Sequence, residues 1–292
     1  MTLRMRSWLF APGDSEKKMT KAADSAADIA LLDLEDSVAP ENKASARELV
    51  REMIEGRDDK ARIWVRINPL SSGQTEADLD AIIAAEPGGV FLPKAEGGHD
   101  AHTLDAMLTV REKAAGIEVG TTRVAALVTE TAAAMFTTGT YDGAPRLVAM
   151  SWGAEDLSSE LGAQEQRGAD GGYTHTYEMA RSLCLLGAVK AQVAPIETVQ
   201  PEFRDLDALR ERALRVRRQG FRGMLAIHPA QIEPINTAFT PSEGELAHAR
   251  AVVKLFADNP GAGTLALGGN MLDRPHLALA QRILAEAGEE SE

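Results

Sequence analysis

Short apolar runs rich in branched residues alternate along this chain with longer segments whose apolar positions recur at helical spacing. The runs predict strands at 7–11, 28–34, 62–68, 89–92, 123–129, 146–151, 191–195 and 223–227. Between most of them lies a helical pattern. Leu206, Leu209, Ala213 and Val216 fall on one helix face, as do Leu246, Ala249, Val253 and Phe256. Ser242 and Glu245 form a capping-box pattern that starts the latter helix. Strands alternating with helices imply a parallel sheet. Eight such repeats in roughly 230 residues predict a (β/α)8 TIM barrel, whose usual size is about 250 residues. An open doubly wound sheet is the alternative. Neither G-x-G-x-x-G nor G-x-x-x-x-G-K-[ST] is there to support a nucleotide-binding version of it.

The pattern changes after Gly261. Two glycine clusters, Gly261-Ala262-Gly263 and Gly268-Gly269, flank a strand candidate at 264–267, and a final helix is expected over 275–287. This tail is too short to stand alone. The expected organisation is a catalytic barrel over 1–260 and a C-terminal helical extension or lid over 261–292, contributing to its own or a neighbouring active site.

Charge and cysteine content narrow the function. The formal net charge is −13, which argues against a nucleic-acid partner that would need a basic surface. It leaves room for a small anion held by a local basic cluster. The one cysteine, Cys184, excludes an internal disulfide framework and any multi-cysteine metal site; in Leu183-Cys184-Leu185-Leu186 it reads as a small core residue. The apolar run near the N-terminus is too short for a signal-peptide core. No window approaches the roughly 20 apolar residues of a membrane span. A cytoplasmic protein with no membrane partner is expected.

In a barrel of this kind reactive groups lie just past the C-terminal ends of the strands. Glu35, Asp36, Glu130, Glu155, Asp156 and Glu197 all follow predicted strands, with Arg66 and Lys94 as the positive charges among them. Clustered carboxylates repel unless they protonate or find a cation. Without cysteine pairs or H-E-x-x-H spacing, oxygen ligands point to Mg2+ rather than zinc. Lys17 and Lys21, four residues apart after the first strand, share a helix face with Lys18 beside them. Such lysines are ordinarily solvated; next to the reactive rim they could hold a phosphate. His228 is the one histidine at a predicted strand end, and its place before Pro229 fits either a turn-orienting residue or a ligand contact.

Taken in order, several segments resemble the citrate lyase beta-subunit-like family of CoA-ester lyases, which includes malyl-CoA and citramalyl-CoA lyases of the HpcH/HpaI aldolase superfamily. They are Arg6-Ser7-Trp8-Leu9-Phe10-Ala11-Pro12-Gly13, Leu32-Asp33-Leu34-Glu35-Asp36-Ser37-Val38, Val65-Arg66-Ile67-Asn68-Pro69-Leu70, Leu92-Pro93-Lys94, Thr129-Glu130-Thr131, Trp152-Gly153-Ala154-Glu155-Asp156-Leu157, Gly220-Phe221-Arg222-Gly223, Ile227-His228-Pro229 and Met271-Leu272-Asp273. The resemblance implies a TIM barrel that assembles as a homotrimer or hexamer. It implies Mg2+ held by Glu130 and Asp156, Arg66 on the carboxylate and carbonyl of a small 2-oxo acid, and Phe10, Lys17, Lys21, Ile227 and His228 against CoA or the acyl group. It implies Asp273 as the acid/base, reaching its own or an adjacent subunit's site. The reaction implied is Mg2+-dependent cleavage, or Claisen formation, of a C–C bond in a 3-hydroxyacyl-CoA such as malyl-, methylmalyl- or citramalyl-CoA. Alternatives are a malyl-CoA thioesterase or malate synthase-like activity, a CoA-independent pyruvate aldolase, and a citrate lyase beta subunit needing an acyl-carrier protein. The chain departs from the family pattern at Met224, where lysine is frequent.

Overall fold

The computed structural model describes residues 3–169 and 171–289. Eight parallel strands close into a barrel in chain order: β1 (Ser7–Pro12), β2 (Ile29–Asp33), β3 (Ile63–Arg66), β4 (Gly89–Leu92), β5 (Arg123–Leu127), β6 (Leu147–Ser151), β7 (Ala194–Glu197) and β8 (Gly223–Ala226). β8 pairs with β1 in parallel, Trp8 opposite Leu225, which closes the ring and leaves no sheet edge. The expected (β/α)8 barrel is the fold.

Inward-facing residues fill the barrel. Trp8, Ile29, Leu31, Trp64, Phe91, Ala125, Leu127, Ala149, Ile196 and Leu225 form one buried cluster. Trp8 and Trp64 meet edge to face with centroids 5.0 Å apart. Trp64 takes the space that a side chain on β4 would use: a Cβ on Gly89 would lie 2.5 Å from the indole ring. Large residues on one strand thus require small ones on the next.

Helices cover the outside: α1 (Glu16–Ala23), α2 (Lys43–Glu55), α3 (Thr75–Ile82), α4 (Gly98–Ala115), α5 (Glu155–Leu161), α6 (His175–Lys190), α7 (Leu206–Gln219) and α8 (Ile232–Ala238). The β5–β6 connection is the exception and carries two single-turn 3-10 segments, Ala134–Phe136 and Thr138–Thr140. Cys184 is buried on α6, as its neighbours predicted. The seventh strand starts later than the 191–195 run implied. α6 continues to Lys190, and Gln192 takes a left-handed φ of 60° to turn the chain into the barrel.

The chain divides after Asn236, whereas the glycine cluster at 261 had placed the boundary there. The reason is the apolar stripe of α9 (Glu243–Ala257). Leu246, Ala249, Val252 and Phe256 pack with Leu272, Ala280 and Leu284, so α9 belongs with the tail. The second unit also holds an antiparallel hairpin, β9 (Thr264–Leu267) and β10 (Asn270–Asp273), and α10 (Arg274–Ala287). Ser242 and Glu245 do cap α9 reciprocally. Among the described residues, no helix is long and apolar enough to cross a membrane.

Candidate active site

The C-terminal ends of β2 to β6 bring a charged group to one mouth of the barrel. Asp33 ends β2 and Arg66 ends β3. The Arg66 guanidinium donates from Nε to Asp33 Oδ1 and from Nη2 to Oδ2, both at 2.7 Å, a two-pronged pairing that fixes its plane. Its remaining nitrogen, Nη1, is 3.0 Å from Glu35 Oε2, and the Phe10 ring lies 4.8 Å from its central carbon. Burial would raise the Asp33 carboxyl, but the Arg66 charge and hydrogen bonds outweigh it and hold it below its ordinary value.

Glu35 follows on the β2 loop and is buried. Burial raises its pKa, against the opposing pull of Arg66 and Lys94. The contact with Arg66 is close but poorly aligned, and Oε2 remains buried without a hydrogen-bond partner. The loop is clamped from behind. Lys43 Nζ donates to the Leu34 and Glu35 carbonyls at 2.7 and 2.8 Å and to Asn68 Oδ1 at 2.8 Å. Asn68 donates in turn to Asp78, which Arg47 pairs. Nothing in the local spacing marks Lys43 for this task.

Lys94 follows β4 in a left-handed conformation, φ 51°, a strained choice for a residue with a Cβ and one typical of functional positions. Its backbone N–H donates to Glu130 Oε2 at 2.6 Å. Its ammonium reaches Glu35 Oε1 at 2.6 Å and Asp156 Oδ1 at 3.1 Å. Glu130, just after β5, is 3% exposed. Burial, followed by the charges of Asp156 and Glu35, pushes its pKa up to about 8. It fits only because residue 153 is glycine: a Cβ there would lie 2.8 Å from Glu130 Cγ. Asp156, in the first turn of α5, is partly open to solvent.

Two hard oxygen donors, Glu130 and Asp156, therefore stand within each other's field, with Glu35 adding a third negative charge. Such a set suits a hard divalent cation such as Mg2+, which uses one or two carboxylates and leaves positions for other oxygens. The buried, uncompensated carboxylate of Glu130 marks where positive charge is wanted.

Beside this centre is a cavity of about 550 Å3, within the range of small-molecule sites. Phe10, Lys18, Lys21, Asp33, Arg66, Ile227 and His228 are among its lining residues. Lys17 is exposed on the same helix but outside that lining, and Lys18 takes the place expected for it. His228 accepts a hydrogen bond at Nδ1 from the Ala230 N–H and stacks on Phe203 with centroids 4.6 Å apart, so it orients its turn and also faces the cavity. Met224 is fully buried in β8 and is not part of the lining.

Two rim carboxylates stand apart from the cluster. Glu197 is buried and held by Arg181 Nε at 3.0 Å, Arg212 Nη2 at 2.7 Å and Trp152 Nε1 at 3.1 Å, an internal ion-pair network tying β7 to α6 and α7. Glu155 is exposed and accepts from Gln166. Asp273 belongs to the second unit, where it ends β10 and precedes α10; its Oδ1 is 2.5 Å from His276 Nδ1.

Residues 6–229 match the family model described as HpcH/HpaI aldolase/citrate lyase. A "citrate lyase subunit beta-like protein" of Mycobacterium tuberculosis is 37% identical over 282 residues, covering 97% of this chain and 95% of the relative. A "(3S)-malyl-CoA thioesterase" of Cereibacter sphaeroides is 31% identical over 285 residues, covering 97% and 94%. Among solved structures, protein CitE from M. tuberculosis, in complex with magnesium, acetoacetate and coenzyme A, aligns with a TM-score of 0.81 at 34% identity, covering 98% of this chain and 99% of that one. With more than half its length matched by the family model and nearly all of it by these relatives, this chain belongs to the HpcH/HpaI aldolase/citrate lyase family.

Proposed function

We propose that the protein is a Mg2+-dependent CoA-ester lyase that cleaves, or forms by Claisen condensation, a C–C bond in a 3-hydroxyacyl-CoA such as malyl-, methylmalyl- or citramalyl-CoA. The observation that carries this reading is the convergence of Glu130, Asp156 and Arg66 on one barrel mouth, beside a cavity lined by Phe10, Lys18, Lys21, Ile227 and His228. Glu130 and Asp156 would hold the metal, which when bound supplies Lewis-acid stabilisation of negative charge on the acid fragment's oxygens. Arg66, its plane fixed by Asp33, turns a preorganised positive charge toward the same oxygens as the hydroxyl becomes a carbonyl. The hydroxyl proton passes to solvent water, and the other fragment leaves as a thioester enolate. Asp273, from its own or a neighbouring subunit of a trimer or hexamer, delivers a proton to that carbon in cleavage and removes one in condensation. Lys18 and Lys21 meet the anionic end of CoA, and Phe10 offers an apolar wall; Lys17 lies on the same helix, outside the lining.

The thioesterase reading deserves a place beside it because relatives 31% identical over nearly the whole chain carry that name. A panel of CoA thioesters assayed with and without Mg2+, with both products identified, decides between the two. Lysis yields a 2-oxo acid and a shorter acyl-CoA; hydrolysis yields the free hydroxy acid and CoA. Absence of Mg2+-dependent turnover on every ester overturns both. Activity restricted to a carrier-protein thioester assigns the chain to a multi-subunit complex instead.

A further inference from the structure

Lys94 bridges the two acidic halves of the centre. Its amide holds Glu130, and its ammonium lies between Glu35 and Asp156. Asp33 and Arg66 cancel as a two-pronged pair, and Glu35 and Lys94 cancel as a second pair. What remains, with Glu130 ionised, is the charge of Glu130 and Asp156, equal and opposite to one divalent ion. Asp36, 3.5 Å from Lys94, is more than half exposed, and water screens it.

Building on the proposed metal and acid sites, we infer that Lys94 and Glu35 form a charge-setting pair that trades affinity for the divalent ion against affinity for the 2-oxo acid. With both charges in place, the metal-loaded centre is neutral and accepts an anionic substrate. Removal of the Lys94 charge leaves the centre with one negative charge in excess of the ion, which binds tighter, while the acid is repelled. Removal of the Glu35 charge does the reverse. The two residues are positioning residues, acting through the field at the centre. The left-handed backbone of Lys94 supports this: it is the conformation in which one residue serves Glu130 from the main chain and Asp156 from the side chain.

The test uses the full chain with Mn2+ as the metal probe and pyruvate as the acid probe. Mn2+ affinity is read by electron paramagnetic resonance, and pyruvate affinity on the Mn2+-loaded protein by calorimetry. Lys94→Met keeps the unbranched side chain up to its terminal atom and the amide; its Mn2+ Kd should fall about tenfold and its pyruvate Kd rise about tenfold. Glu35→Gln should shift both by similar factors in the opposite directions. Distortion of the site would weaken Mn2+ binding in both variants, and that result, or no change in either, overturns the inference. Each variant decides the sign alone if the other does not fold. Asp156→Asn separates the two levels of the argument. If it binds Mn2+ like the unaltered protein, or if the unaltered protein binds none, the metal assignment itself fails and the charge-setting pair with it. If it loses Mn2+ while the other two variants do not diverge, only the pair is wrong.

Discussion

Glu130→Gln in the metal-free protein should make folding more stable at neutral and alkaline pH, although it removes a candidate catalytic group. Glu130 is nearly inaccessible, and burial together with Asp156 and Glu35 places its pKa at about 8 rather than the ordinary carboxylate value. A carboxyl raised on folding stabilises the native state fully below its unfolded pKa, and that contribution disappears as pH rises through the folded value. Each pH unit in the window costs about 1.4 kcal/mol, so roughly 3 kcal/mol is gone by pH 7 and the total approaches about 5 kcal/mol above pH 8. Glutamine keeps the shape and offers a carbonyl oxygen to the Lys94 N–H, but it does not titrate. Urea unfolding of both proteins in EDTA from pH 5 to pH 9 reads the difference directly. The variant's advantage should grow with pH to several kcal/mol. Mg2+ at a hundred times its Kd should return about 2.7 kcal/mol to the unaltered protein alone. Parallel stability curves for the two proteins across this range refute the claim that Glu130 is a buried, uncompensated carboxylate.

Four other substitutions probe separate parts of the molecule. Gly153→Ala places a Cβ 2.8 Å from Glu130 Cγ, and steady-state kinetics should show kcat reduced about a hundredfold, the usual consequence of a displacement near 1 Å at a reacting centre. Lys18→Met or Lys21→Met should raise KM for the CoA ester about three- to tenfold with kcat preserved, an effect that shrinks in high salt; an unchanged KM removes these lysines from the binding site. Arg212→Met leaves Glu197 buried with one hydrogen-bonding cation fewer, and chemical denaturation should register a loss of about 3–5 kcal/mol.

How far the sequence reveals this molecule depends on whether a feature is local. Runs such as Ile63–Arg66 and Gly89–Leu92 announce strands because both faces of a parallel barrel strand are buried and the run is continuous. The order of strand ends then gathers Arg66, Lys94, Glu130 and Asp156 without further information. β7 starts later than its apolar run predicts because its start depends on where α6 stops, which a left-handed Gln192 decides and no apolar pattern records. β10 went unrecognised although Gly268-Gly269 is a hairpin signal, since Asn270–Asp273 is mostly polar or exposed. The choice of Lys18 over Lys17 in the cavity is a matter of helix phase, which one residue of uncertainty at the start of α1 alters. Glu197 looked like a rim carboxylate because its three partners come from α6, α7 and the residue after β6, a meeting that only the folded chain arranges.

The proposed reaction requires Glu130 and Asp156 to act as one metal-holding pair for carbon–carbon cleavage. It is tested most directly by the rate at which Glu130→Ala and Asp156→Ala release 2-oxo acid and acyl-CoA from the best CoA ester at saturating Mg2+. The loss should be about a thousandfold or more in each variant, with circular dichroism showing the barrel intact. Near-normal release by both variants contradicts it.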